Sequence, residues 1–381
     1  MQQRYHSLDF LRAIMMFLGI ILHGAQMYLA ELAIVDYYID PQRSLSMDAM
    51  LIIINTFRMP IFFFLSGFFV ALLIDKQQIK GMLGNRLKRI ALPFIVLLLP
   101  LSVIMGGLQI LGANWLATKT ISFDLSVIDN PMKLVDKTHN LWFLYYLTMH
   151  FLSLTVLIIA WKKLTDSVNK TPLAFKTNNW YLAVAAMATM SLLLAIIGSD
   201  SDSGRISASL AFKPDLLVYL YFGVFFVFGW ALYYAQWLIT AFNHQCWQLM
   251  TAAILSLLRG IIGFALQGHP GDGNYQAYHL LLSLSNGVSV TLFIAAFIGL
   301  FQRYFSEFSE TKRYFSDSAY WVFCSHSIFL VALAIPMAYL DWPAEVKFLL
   351  VITGTCYLCL LSYKHLVRST WLGQLLNGRR Y

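Results

Sequence analysis

The chain has 381 residues, of which 59% are hydrophobic and 12% are charged, and its formal net charge is +8 at pH 7. About a quarter of the residues in a typical soluble domain are charged, so this composition excludes a soluble globular protein. Apolar segments of about 20 residues recur from end to end, which is the length that an α-helix needs to cross a bilayer. We therefore predict an all-α, polytopic bundle of about ten transmembrane helices, a single domain over residues 1–381 with no separate soluble domain.

Ten apolar segments are the predicted membrane spans. In chain order they cover 10–30, 48–74, 90–111, 140–161, 180–198, 214–235, 246–267, 279–301, 317–339 and 346–366. The second is longer than a bilayer requires and contains Pro60, where a kink is expected because proline removes a helix hydrogen bond. The first is expected to be retained as a helix, since Asp9 and Arg12 interrupt the apolar pattern of a signal peptide.

Lysine and arginine residues are spread unequally over the predicted loops. Most of the 27 lie at the two termini and in the loops that share their side of the membrane, and few lie in the loops between. Because positively charged loops are retained in the cytoplasm, both termini are predicted to be cytoplasmic. The same bias accounts for most of the net charge, so nucleic acid is not expected as a partner.

The first span carries three ionisable side chains on one stripe. At about 100° per residue, Asp9, Arg12 and His23 share a face of the helix, with roughly 16 Å along the axis between Arg12 and His23. Ionisable groups are costly in hydrocarbon, which makes them functional candidates. A neutral imidazole in a dry pocket can take a proton from a hydroxyl, as acyl transfer to an alcohol requires. The alternative for His23 is a hydrogen bond to a neighbouring helix and no catalytic role.

Two further candidates fall near the middle of other spans. Arg58 lies in the second span and His326 in the ninth, at a depth similar to that of His23, so the three side chains can meet. Arg12, Arg58 and Arg259 outnumber the carboxylates within the spans, which favours a cavity that admits water or an anionic ligand. The alternative is that these arginines bond backbone carbonyls or extend to the interface.

A basic run precedes the third span. Arg86, Lys88 and Arg89 lie at its predicted cytoplasmic mouth, where arginine can hold phosphate oxygens through its forked donors. Ordinary positive-inside anchoring explains the same run equally well. No cluster of His, Asp, Glu or Cys has the spacing of metal ligands, so no metal is expected.

Several motifs together resemble the acyltransferase-3 family of bacterial membrane acyltransferases, in family order over essentially the whole chain. They are Leu8 to Ala13 followed by His23, Phe57 to Pro60 running into Phe62 to Phe68, Arg86 to Ile90 with Pro93, Leu141 to Leu144, and Tyr320-Trp321 leading to His326. Within that family the start of the second motif and the tail 372–380 look most like the glucan biosynthesis protein C type, which is thought to add succinyl groups to periplasmic glucans.

The resemblance implies a multi-pass protein of the bacterial inner membrane. It implies a cytoplasmic acyl-CoA as co-substrate, with no permanently bound cofactor, and a hydroxyl of a periplasmic or cell-surface glycan as acceptor. His23 would be the catalytic histidine and Arg12 a nearby essential arginine, while Arg86 and Arg89 would bind the donor.

To these residues we add Arg58 and His326 as catalytic candidates and Lys88 as a donor contact. Arg58 or Arg259 is a candidate for holding the carboxylate of a succinyl donor. Two alternatives from other classes are an anion transporter whose arginines line a permeation path, and a non-catalytic scaffold of an envelope polysaccharide system.

Overall fold

The computed structural model describes residues 5–32, 39–118, 122, 137–165 and 179–377, and these residues form helices and no β-strand. The helices are α1 (His6–Ala25), α2 (Leu45–Arg86), α3 (Leu92–Thr118), α4 (Trp142–Thr165), α5 (Trp180–Gly198), α6 (Leu216–Tyr234), α7 (Trp237–Leu266), α8 (Tyr275–Tyr304), α9 (Glu310–Met337), α10 (Ala344–Ser362) and α11 (Trp371–Asn377). Most of the loop predicted between the third and fourth spans, and the end of the tail 372–380, lie outside the described residues. The predicted all-α polytopic bundle is confirmed.

The described part of the chain holds nine helical stretches long and apolar enough to cross a membrane. Ten spans were predicted, and the difference arises because a π-helical segment, Leu87–Ala91, joins α2 and α3 into one stretch, Leu45–Gly112. A straight helix of that length would extend about 100 Å, far beyond a bilayer. The stretch therefore contains two of the predicted spans, and the protein is a multi-pass membrane protein.

The break in α2 does not fall at its proline. The backbone keeps helical angles through Pro60, and the residue of α2 that leaves the helical region is Gln78, with φ 58° and ψ 176°. A proline in a membrane helix is tolerated when neighbouring groups satisfy the freed carbonyl. This break lies near the end of α2, where the chain turns toward α3. The kink expected at Pro60 stays a prediction, since helical backbone angles are compatible with a bend at a proline.

Helix α1 is surrounded by four other helices of the bundle. It packs against α2, α8, α9 and α10, with its closest association along α9. Leu8, Leu11 and Met15 are almost fully buried on this helix. Asp9, Arg12 and His23 are half-buried on the same helix, and partners from α2 and α9 can reach them.

Helices α2 and α6 touch through their backbones at two glycines. A Cβ atom at Gly67 would overlap the carbonyl of Phe226, and one at Gly229 would overlap the carbonyl of Phe64. Small residues permit such close approach between membrane helices. The contact fixes the aromatic run of α2, including Phe62, relative to the rest of the bundle.

Replacing Gly229 by Ala is expected to destabilise the protein by about 1 to 3 kcal/mol, because the added methyl group must push two backbones apart. Gly84→Ala is the matched control, since a Cβ at Gly84 meets nothing within 4 Å. Thermal unfolding in one detergent measures both variants. Equal midpoints for Gly229→Ala and the parent protein would contradict the close contact.

Candidate active site

Two histidine rings meet between α1 and α9. His23 lies in the last turn of α1, and His326 lies in the middle of α9, where it is fully buried. Their ring centroids are 5.2 Å apart with an interplanar angle of 39°. The structure thus brings together two side chains that are 303 positions apart in the sequence. We call His23, His326 and the adjacent Arg58 the histidine cluster.

The hydrogen-bond partners of the two rings favour one tautomer for each neutral histidine. The Nδ1 atom of His326 is 3.0 Å from the carbonyl oxygen of Val322 and 2.8 Å from that of Phe323, and both oxygens can only accept. The Nδ1 atom of His23 donates to the Oε1 atom of Gln26 at 2.7 Å. In a neutral imidazole the other nitrogen is then a lone-pair acceptor, so each ring retains Nε2 as its base.

Arg58 of α2 completes the histidine cluster. It is buried, and its Nε atom donates to the carbonyl of Met15 on α1 at 3.2 Å. A Cβ atom built on Gly19 would lie 3.1 Å from Nη2 of Arg58 and 3.4 Å from Nε2 of His326. Because Gly19 has no side chain, the guanidinium of Arg58 and the imidazole of His326 can both approach α1 at this position. A cation beside two bases is an arrangement that can stabilise a developing oxyanion.

A cavity of about 620 Å³ opens at the end of the bundle that holds the start of α1. Among the described residues that line it, four are cations and two are carboxylates: Arg12, Lys76, Arg86, Arg89, Asp9 and Asp317. Arg12 is 3.5 Å from Asp9, and its guanidinium carbon lies 5.2 Å from the centre of the Phe69 ring. We call this space the basic cavity, and its charge favours an anionic ligand.

The basic cavity and the histidine cluster lie one helical turn apart. Met16 and Phe62 line the cavity, while Arg58 lies one turn before Phe62 on α2 and donates to the carbonyl of Met15 on α1. Three phenylalanines, which we call the phenylalanine layer, connect the two sites: Phe62 and Phe143 line the cavity, Phe143 meets Phe62 at 4.7 Å and Phe323 at 4.5 Å, and the Phe323 ring lies 6.1 Å from that of His326. Arg12 therefore belongs to the cavity, and His23 belongs to the cluster.

Two of the candidate cations lie elsewhere. Lys88 is exposed and is not part of the cavity lining, because it projects about 200° away from Arg86 around the helix. Arg259 of α7 is also exposed, and its Nε atom donates to the hydroxyl of Ser285 on α8 at 3.0 Å. In the described part of the chain Lys88 does not line the basic cavity, and Arg259 bonds to Ser285 rather than to the histidine cluster.

Two polar residues were missed by reasoning from the sequence. Gln26, which orients His23, follows it by three residues, a spacing that places side chains on one face of a helix and was a usable signal. Arg205 lies in the loop between α5 and α6, and its Nη1 atom donates to the hydroxyl of Thr56 on α2 at 3.1 Å. Burial lowers the pKa of Arg205. No sequence signal distinguished it from the other loop cations.

These features define the class of the protein. It is a multi-pass helical membrane protein with an embedded cluster of histidine and arginine side chains beside a basic cavity. The acyltransferase domain family model, that of the acyltransferase-3 family, matches residues 5–364. The chain therefore belongs to this family. It is a membrane acyltransferase, an enzyme that transfers acyl groups onto hydroxyls. No curated protein and no solved structure matches the chain.

Proposed function

We propose that this enzyme carries an acyl group from cytoplasmic acyl-CoA to a hydroxyl of a periplasmic or cell-surface glycan, in the inner membrane of a bacterium. The observation that carries the proposal is the order of the two sites along α1. The basic cavity opens at the end where the charge bias predicts the cytoplasm, and His23 lies toward the opposite end. A phosphate-rich donor and a neutral acceptor would thus approach from opposite sides.

The donor would bind with its phosphates in the basic cavity. Arg12, Lys76, Arg86 and Arg89 line it, and arginine matches phosphate oxygens through paired N–H donors. The enzyme needs no permanently bound cofactor for this chemistry, because the thioester itself is the activated group. For its acyl end to reach His23, the donor would have to displace the phenylalanine layer, of which Phe143 is the central ring.

The histidine cluster would carry out the transfer. Nε2 of His23 takes the proton from the acceptor hydroxyl, and the oxygen attacks the thioester carbonyl. Arg58 stabilises the negative charge that develops on the carbonyl oxygen, and His326 holds its Nε2 toward the same space. The carbon–sulfur bond then breaks, and the CoA thiolate receives the proton from His23. The product is an ester of the glycan.

Membrane vesicles containing the protein test the proposal directly. We expect label from succinyl-CoA or acetyl-CoA to enter glycan in the lumen, with release of free CoA. The glucan biosynthesis protein C type, to which the sequence is similar, favours succinyl as the acyl group and a glucan as the acceptor. Movement of an anion without thioester consumption would instead favour a transporter. A scaffold would consume no thioester and would tolerate His23→Ala.

Replacing Arg86 by Gln is expected to raise the KM for acyl-CoA roughly ten- to hundredfold, since a charge-assisted hydrogen bond contributes about 1.5 to 3 kcal/mol. Lys88→Gln is the matched control, because Lys88 belongs to the same basic run but is exposed outside the cavity. Initial rates over a range of donor concentrations measure both variants. Equal changes in KM for the two variants would mean that the basic run 86–89 acts through its net positive charge and not through a specific contact of Arg86 with the donor.

A further inference from the structure

Two hydrogen-bond donors in the wall of the basic cavity have no partner in the described part of the chain. They are Nε of Arg86 and the hydroxyl of Tyr320, and both atoms are buried. A buried donor without a partner destabilises a protein by about 1 to 3 kcal/mol, and few such groups occur in native structures. The proposed function gives Arg86 a phosphate, but it gives the Tyr320 hydroxyl nothing.

Tyr320 lies on α9 between Asp317, a charged residue of the cavity lining, and His326 of the histidine cluster. It lies on α9, six residues before His326, which is about 9 Å along the helix axis. Side chains on a helix lean toward its N-terminus, so the hydroxyl lies on the mouth side of His326. The same cavity is lined by Phe143 and Leu147, and also by Ser316 and Asp317 one turn before Tyr320, yet the Tyr320 hydroxyl bonds to none of the described residues. A buried neutral donor suits a neutral, amide-like acceptor better than a phosphate, which the arginines of the cavity match.

We propose that the hydroxyl of Tyr320 donates a hydrogen bond to an amide carbonyl in the thiol-bearing arm of the donor. This inference rests on the proposed function, since it requires a CoA thioester in the basic cavity. The arm of CoA carries two amides between its phosphates and its sulfur, which matches a neutral donor placed between the arginines and the cluster. Tyr320 is then a positioning residue that fixes how far the thioester reaches toward His23.

The test compares Tyr320→Phe with the parent protein on two donors. One is acyl-CoA, and the other is the ethanethiol thioester of the same acyl group, which lacks both amides. We expect Tyr320→Phe to raise the KM for acyl-CoA about two- to tenfold, as loss of a neutral hydrogen bond predicts, with kcat nearly unchanged. Both proteins should use the ethanethiol ester equally well. Tyr314→Phe is the control, because Tyr314 lies on the same helix but outside the basic cavity.

The possible outcomes separate the inference from the function on which it rests. An unchanged KM for acyl-CoA in an active Tyr320→Phe enzyme overturns the inference alone. An equal defect with the ethanethiol ester also overturns it, since the hydroxyl would then act at the thioester or through packing. If the parent protein consumes no acyl-CoA, the proposed function itself has failed. Calorimetric titration of CoA into detergent-solubilised protein is the second measurement, and Tyr320→Phe should weaken binding by the same factor.

Discussion

An enzyme carrying His23→Ala is expected to transfer acyl groups about a hundred- to ten-thousandfold more slowly than the parent protein, because that is the usual contribution of a general base. The expectation follows from the hydrogen bond between Nδ1 of His23 and Gln26, which leaves Nε2 as the basic nitrogen. The Michaelis constant for the donor should change little, since His23 does not line the basic cavity. Release of CoA in the presence of acceptor measures the effect.

His150→Ala is the matched control for this prediction. His150 is also a buried histidine in a membrane helix, but its two ring nitrogens lie 2.6 Å and 3.1 Å from the carbonyls of Tyr146 and Tyr219. His150 therefore has a structural role, which is to bond the backbones of two helices, and this is the role that was the alternative to catalysis for His23. We expect His150→Ala to lower thermal stability while the folded fraction keeps its specific activity. Transfer at the native rate by His23→Ala would end the proposed mechanism.

The histidine cluster could be predicted because helix geometry is nearly independent of the fold. The positions of His23, Arg58 and His326 within their spans place the three side chains at a similar depth in the membrane. Because ionisable groups are costly in lipid, these side chains are expected to face the interior of the bundle. The structure brings these three side chains together. Depth along a helix can be counted from the sequence, whereas the rotation of one helix against another depends on packing.

The features that sequence reasoning did not anticipate depend on such packing. The π-helical segment Leu87–Ala91 links α2 to α3, and Lys88 is exposed there. The backbone of α2 leaves the helical region at Gln78, and glutamine is an ordinary helix-forming residue. Neither effect has a local signal in the sequence.

The separation of Arg12 from His23 has the same origin. The two residues share a stripe on α1, yet Arg12 lines the basic cavity and His23 does not, and the phenylalanine layer connects the cavity to the histidine cluster. Its members Phe62, Phe143 and Phe323 come from α2, α4 and α9, and each alone is an ordinary apolar residue of a membrane helix. Only the assembled bundle brings these rings into contact, and the proposed mechanism requires a donor to move them before its acyl group reaches His23.

Replacing Arg58 by Met is expected to lower kcat about a hundred- to thousandfold, which is the typical effect of removing a group that stabilises an oxyanion. The protein should still fold, since methionine has a similar length and removes a buried charge. Rates with acetyl-CoA and succinyl-CoA, measured on protein of verified thermal stability, distinguish the two roles open to the guanidinium. Equal losses with both donors agree with oxyanion stabilisation, because both thioesters develop the same negative charge.

A loss confined to succinyl-CoA would contradict that role and would assign Arg58 to the donor carboxylate. Arg259→Met is the matched control, since Arg259 is the other arginine considered for that carboxylate and lies exposed on α7 against Ser285. Its replacement should leave both rates within about twofold, as surface substitutions usually do. The pair of variants thus tests whether catalysis depends on the one arginine whose guanidinium the fold places beside Gly19 and His326.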